Sequence, residues 1–132
     1  MAMQQRIFPF LYVDDVRAYM TFLDQAFGFV QRSYHVDPDD SDHVHAEMAL
    51  NDAVVMIGKA TPKFGTASPR IADAAVAGVY AYVDDVDAHL RRARQAGATI
   101  SHEMEDKPWG DRMYGARDPE GYEWYFATRR SA

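Results

Sequence analysis

Cysteine is absent from the 132 residues. That excludes disulfides, thiolate metal centres and a cysteine nucleophile. No apolar run approaches the ~18 residues that a membrane-spanning helix requires. Basic residues are outnumbered, 14 Lys and Arg against 20 Asp and Glu, and the formal charge is −6. Such a surface repels nucleic acid, and no basic cluster offsets it. Arg91, Arg92 and Arg94 read as a solvated helix face. The Gly-x-Ser-x-Gly elbow of serine hydrolases is missing, as is a glycine-rich phosphate loop. The opening Met-Ala-Met-Gln-Gln-Arg lacks the charged start and long apolar stretch of a signal peptide. The expectation is a cytoplasmic protein of bacterial type, with no membrane and no nucleic-acid partner.

What is present is a repeat. Tyr-Val-Asp-Asp-Val occurs at 12–16 and again at 82–86. Each copy ends an apolar run, Ile7 to Val13 and Gly78 to Val83, and opens a helical pattern. Val16, Tyr19, Phe22, Leu23 and Phe27 recur at three- and four-residue steps, as do Val86, Leu90 and Ala93. An Asp at a strand-to-helix junction can accept the unpaired amides of the first turn. Gly28 and Gly97 then stand where a left-handed cap ends a helix. The Asp pairs therefore read as structural.

Three strand candidates follow each helix: 29–36, 43–50 and 53–58, then 99–105, 111–117 and 122–127. Asn51-Asp52 and Asp118-Pro119-Glu120-Gly121 supply turns. Pro38 to Asp42 reads as an acidic loop, and Lys59 to Ala74 as a connection or lid. The fold class is α+β: one domain over 1–132, built from two βαβββ modules. The first spans about 6–59, the connection 60–75 and the second about 76–128.

These segments resemble the vicinal oxygen chelate superfamily of glyoxalases, bleomycin-resistance proteins and extradiol dioxygenases. The likeness rests on both Tyr-Val-Asp-Asp-Val copies, Phe27-Gly28-Phe29, His45-Ala46-Glu47, Ala96-Gly97-Ala98, Pro108-Trp109-Gly110-Asp111-Arg112 and Asp118-Pro119-Glu120-Gly121-Tyr122. The resemblance implies a cup-shaped mixed sheet with the helices outside, and a homodimer. It also implies four metal ligands, one on each of four strands. In this chain those positions fall on Phe8, Met56, Gly78 and Tyr125, a set that cannot hold a divalent metal. A metal cofactor is therefore not expected.

Strand alternation places Phe10 and Tyr12 with Phe8, Val54 with Met56, Tyr80 with Gly78, and Glu123 with Tyr125. Trp124 and Phe126 fall on the opposite, core face. The expected ligand-binding set is Phe8, Phe10, His45, Glu47, Met56, Tyr80, Trp109, Arg112, Tyr114 and Tyr125. It suits a small aromatic or cationic compound held by stacking, as in antibiotic sequestration. The alternative is a lyase, isomerase or dioxygenase with a displaced metal at His43, His45 and Glu47. All three lie on one strand, where same-face side chains stand ~7 Å apart, which favours an exposed polar face instead. Whether the protein catalyses a reaction is left open, since nothing in the spacing demands acid–base chemistry.

Overall fold

The computed structural model describes residues 4–130. The chain divides into two compact units. One holds the residues up to Asp24 together with Gly28–Ser68; the other holds Gln25–Phe27 together with the residues from Pro69 onward. No helix among the described residues is long and apolar enough to cross a membrane.

The first unit contains β1 (Phe10–Val13), most of α1 (Val16–Phe27), β2 (Val30–Asp37), β3 (Asp40–Leu50) and β4 (Ala53–Lys59). Its four strands form one mixed sheet in the order β1-β4-β3-β2, with β1 parallel to β4. The second unit repeats the plan with β5 (Gly78–Tyr82), α2 (Val86–Gln95), β6 (Thr99–Asp106), β7 (Asp111–Arg117) and β8 (Glu123–Arg129). Its sheet runs β5-β8-β7-β6, with β5 parallel to β8. The two mixed sheets and two helices make the α+β architecture expected.

In each Asp pair the second residue caps the helix. The Asp15 carboxylate accepts from the Ala18 amide and the Asp85 carboxylate from the Ala88 amide, each at 3.1 Å. Gly28 closes α1 at φ 82°, a left-handed conformation that costs a residue with a Cβ.

Alternation separates two faces in each sheet. On β3, Val44, Ala46 and Met48 are buried, while His43, His45 and Glu47 face the other way. Arg17 of α1 lies 4.3 Å over the Tyr34 ring on the buried side of that sheet. On β8, Trp124 and Phe126 are fully buried, as alternation predicts, and Phe27 packs on both at 5.6 and 4.7 Å. Burying each such large apolar side chain contributes ~1.5–3 kcal/mol.

Two expectations need correction. The first strand begins at Phe10 instead of Ile7. Pro9 has no amide hydrogen and can only start a ladder, so its carbonyl accepts from Met56 N and pairing proper follows it. Phe8 precedes the strand and is half-buried, and Ile7 is exposed. The acidic loop also shrinks to a turn at Pro38-Asp39, because β3 starts at Asp40. The carboxylates of Asp37 and Asp40 accept the amides of Asp39 and Asp42 at 2.9 and 3.0 Å, which tightens the turn.

Candidate functional site: two aromatic sheet faces

On the first sheet, register brings Phe10 beside Met56 and Tyr12 beside Gly58. Across β4 the partners are Glu47 for Met56 and His45 for Gly58. Phe10, Tyr12, His45, Glu47 and Met56 therefore share the face turned away from α1. The Phe10 and Tyr12 rings stack at 4.9 Å and 30°. His45 closes on Phe10 at 5.7 Å. Phe10 is 42% exposed, a large apolar ring left in water.

A groove of about 210 Å³ opens at this face. Its wall includes Phe10, Tyr12, His43, His45, Lys59 and Phe64. Phe64 comes from the connection after β4, in a short 3-10 turn that Thr61 starts and Gly65 ends. That places part of the connection over the strands, as a lid would lie. Lys59 is held to Asp42 at 2.9 Å and Lys63 to Asp40 at 2.9 Å.

The second sheet presents a tyrosine face. Tyr80 lies beside Tyr125 in the register, with rings 6.1 Å apart at 28°. Tyr82 meets Tyr80 edge-on at 5.7 Å. Both tyrosine hydroxyls donate to one carboxylate oxygen of Asp111, at 2.7 and 2.8 Å. Asp111 is 1% exposed, and Arg129 Nε donates to its other oxygen at 2.5 Å. Burial opposes ionisation of Asp111, yet the bonds from Tyr80, Tyr82 and Arg129 hold its carboxyl below the usual range. Burial first, then the bond to Asp111, pushes the Tyr80 hydroxyl up. Trp109, exposed in the turn before β7, donates from Nε1 to the Tyr80 oxygen at 3.3 Å.

Next to these rings lies Glu123, 2% exposed. It accepts from Arg117 Nε at 2.9 Å and from Ser101 Oγ, and His102 Nδ1 stands 3.4 Å away. Ser101 and His102 reach the same carboxylate although they are consecutive, because β6 is irregular around His102.

Two of the ten expected residues do not belong to an open face. Arg112 and Tyr114 alternate with Asp111 and Met113 on β7 and turn toward α2. Arg112 pairs with Asp87 of α2 at 3.0 Å and with Asp106 at 3.2 Å. Tyr114 is fully buried, its hydroxyl 2.6 Å from His89 Nδ1. Burial pushes that phenol well above its ordinary pKa. Phe10, His45, Glu47 and Met56 come together on the first sheet; Tyr80, Trp109 and Tyr125 come together on the second. Phe8 sits ahead of the first strand. Tyr82, Asp111, Arg117 and Arg129 were missed as site residues. Tyr82 was findable, since it is two residues from Tyr80 on one strand; Asp111 was not, since its partners are distant in sequence.

The four positions expected for the family's metal do not suit one. Met56 is a thioether, Gly78 has no side chain, and Phe8 and Tyr125 supply no imidazole or carboxylate. The rival set is not gathered either. His43 turns to Asp37 at 3.4 Å and to the Phe64 ring at 5.4 Å, while His45 faces Glu47 at 3.6 Å. Among the described residues no group of three or more His, Asp and Glu side chains is placed to hold a metal ion.

Known proteins share this fold. Residues 5–126 match the family described as Glyoxalase/Bleomycin resistance protein/Dioxygenase superfamily. An uncharacterized protein of Mycobacterium tuberculosis (strain ATCC 25618 / H37Rv) is 33% identical over 119 residues, which is 88% of this chain and 69% of that protein. The crystal structure of TioX from Micromonospora sp. ML1 is similar at TM-score 0.75 and 30% identity, covering 95% of this chain and 98% of TioX. TnmS3, an antibiotic binding protein from Streptomyces sp. CB03234, shares the fold at TM-score 0.70 and 17% identity, over 97% of this chain and 99% of TnmS3.

Proposed function

The chain belongs to the Glyoxalase/Bleomycin resistance protein/Dioxygenase superfamily, and from that premise we propose that it binds a small aromatic compound without a metal ion, sequestering it instead of transforming it. The observation that carries this reading is the exposed Phe10–Tyr12 stack. Phe10 leans over Gly58, where an added Cβ would come within 2.9 Å of its ring. The absent side chain lets the ring lie flat across the sheet, and His45 adds a third π surface. A planar guest is the natural complement to such a surface. That TnmS3 is an antibiotic binding protein on the same fold supports a guest of antibiotic type.

The reading includes a homodimer in the cytoplasm. Val30 and Val36, 64% and 44% exposed on the edge strand β2, are apolar surface that self-association would cover. Sedimentation equilibrium measures that directly.

Thermal unfolding with a panel of planar aromatic compounds tests the binding. A guest at a hundredfold excess over its Kd stabilises the native state by about 2.7 kcal/mol, which is several degrees in Tm. The reading is overturned if no aromatic compound raises Tm while a divalent metal does.

A further inference from the structure

On the second sheet's open face two acids are buried beneath exposed bases. Asp111 and Glu123 are 1% and 2% exposed, and each is bound to an arginine. The side chains of those arginines, Arg129 and Arg117, are 53% and 36% exposed. The negative half of each pair therefore lies in the sheet and the positive half faces water. Arg117 engages Glu123 through Nε, and its two terminal nitrogens make no further bond among the described residues. A guanidinium held by its inner nitrogen keeps the outer, forked edge ready for a planar anion.

That edge stands close to the aromatic floor. Gly115 is directly opposite Tyr125, and Arg117 is two residues further along β7 on the same face. Arg117 and Tyr125 are thus diagonal neighbours, about 7–8 Å apart, a span that a two-ring molecule covers. Tyr80 continues the floor on the far side of Tyr125. His102, with its side chain 51% exposed, lies beside the same carboxylate and 5.6 Å from the Tyr125 ring.

A cationic guest would find this face taken. Arg129 already lies 5.2 Å over the Tyr82 ring, and Lys107 stands 5.9 Å from the Trp109 ring. Asp111 and Glu123 are buried and paired, and the exposed Glu105, opposite Met113 on this face, is paired with Lys107 at 3.2 Å. The net charge of −6 belongs to the whole chain, whereas recognition responds to charges within about a Debye length, ~8 Å at physiological salt.

We propose that this face selects a flat aromatic molecule carrying an acidic group, a carboxylate or sulfonate, with the rings on Tyr125 and Tyr80 and the acid on Arg117. This rests on the small-molecule reading above and narrows its aromatic guest to one that carries an acid.

Three compounds with one ring system test it: 2-naphthoate, 2-naphthamide and 2-naphthylmethylammonium. Calorimetric titration gives affinities. Quenching of Trp109, which is exposed while Trp124 is fully buried, reports occupancy at this sheet. Naphthoate should bind roughly tenfold tighter than the amide, as expected of a charge-assisted pair, and its advantage should shrink with added salt. The paired substitution Arg117→Gln with Glu123→Gln removes both charges and leaves no buried carboxylate unpaired. It should bring naphthoate to the affinity of the amide and leave the amide's own affinity unchanged. Equal binding of naphthoate and amide overturns the inference, as does a preference that survives the paired substitution. If none of the three compounds binds, the inference fails, while the small-molecule reading stands or falls on the wider panel of planar compounds.

Discussion

Gly58 lies beneath Phe10 so closely that a Cβ built on it would stand 2.9 Å from ring atom Cε1. The clash is with the outer end of an exposed side chain, so the ring can swing away at low cost. Gly58→Ala should therefore change stability by less than about 1 kcal/mol, helped by a less flexible unfolded chain. It should nonetheless separate Phe10 from Tyr12 and weaken binding of an aromatic guest several-fold. Denaturant unfolding and calorimetry on the same variant check the split. A variant that binds as tightly as the parent would show that the groove is not where the guest sits.

Chelation should have no effect. The family's four metal positions carry Phe8, Met56, Gly78 and Tyr125, which offer no hard nitrogen or oxygen set. Protein dialysed against a chelator should keep its Tm and its aromatic-ligand affinity. Restoring zinc, manganese or iron should change neither. Loss of binding on chelation, recovered with one metal, would refute the metal-free reading.

The repeated segments were legible because helix capping and strand-to-helix junctions are local. Asp15 and Asp85 need only a helix beginning at the next residue. The core choice of Trp124 and Phe126 was legible for a similar reason, since alternation from Tyr125 is a short count. Arg112 and Tyr114 had no such count behind them, and they lie on the face opposite Asp111. A strand has a period of two, so one residue of misplaced register exchanges its faces. Nothing within β7 itself marks which parity meets α2; that is set by Asp87 and His89, some 25 residues earlier in the chain. The Asp111 network was illegible for the stronger reason that Tyr80, Tyr82 and Arg129 meet only when the sheet has formed.

The turn before β8 hangs on Asp118. Its carboxylate is 4% exposed and accepts from the amides of Glu120 and Tyr122 at 2.9 and 3.1 Å and from Trp124 Nε1 at 2.8 Å. Asp118→Ala would remove the carboxylate that accepts from the buried indole N–H and unfasten the turn. Bonds to a charged acceptor contribute ~1.5–3 kcal/mol each, less than additively. The expected cost is about 3–5 kcal/mol, read from urea unfolding. Asp118→Asn keeps one acceptor oxygen and should recover part of it.

His89 gives the fold an acid limit. Its Nε2 stands 2.8 Å from the Phe27 carbonyl, which can only accept, so Nε2 carries the hydrogen. Nδ1 must then accept from the Tyr114 hydroxyl at 2.6 Å. The ring is enclosed by Phe27 and Phe126, with Phe126 at 4.1 Å. Burial pushes the His89 pKa below its ordinary value; the Phe27 bond opposes this and the charge of Arg92 adds to it. A folded pKa below the unfolded one means that the native state binds fewer protons. Stability is then complete above the unfolded pKa of about 6.5 and falls as pH drops below it. Protonation also turns Nδ1 into a donor facing a hydroxyl that must rotate to receive it. Tm should therefore be flat from neutrality upward in respect of this group and decline below about pH 6.5. His89→Gln keeps an amide donor for Phe27 but cannot titrate. It should be less stable at neutral pH and show a shallower decline into acid, which differential scanning calorimetry between pH 5 and 8 resolves. An equally steep decline in the variant would place the acid sensitivity elsewhere.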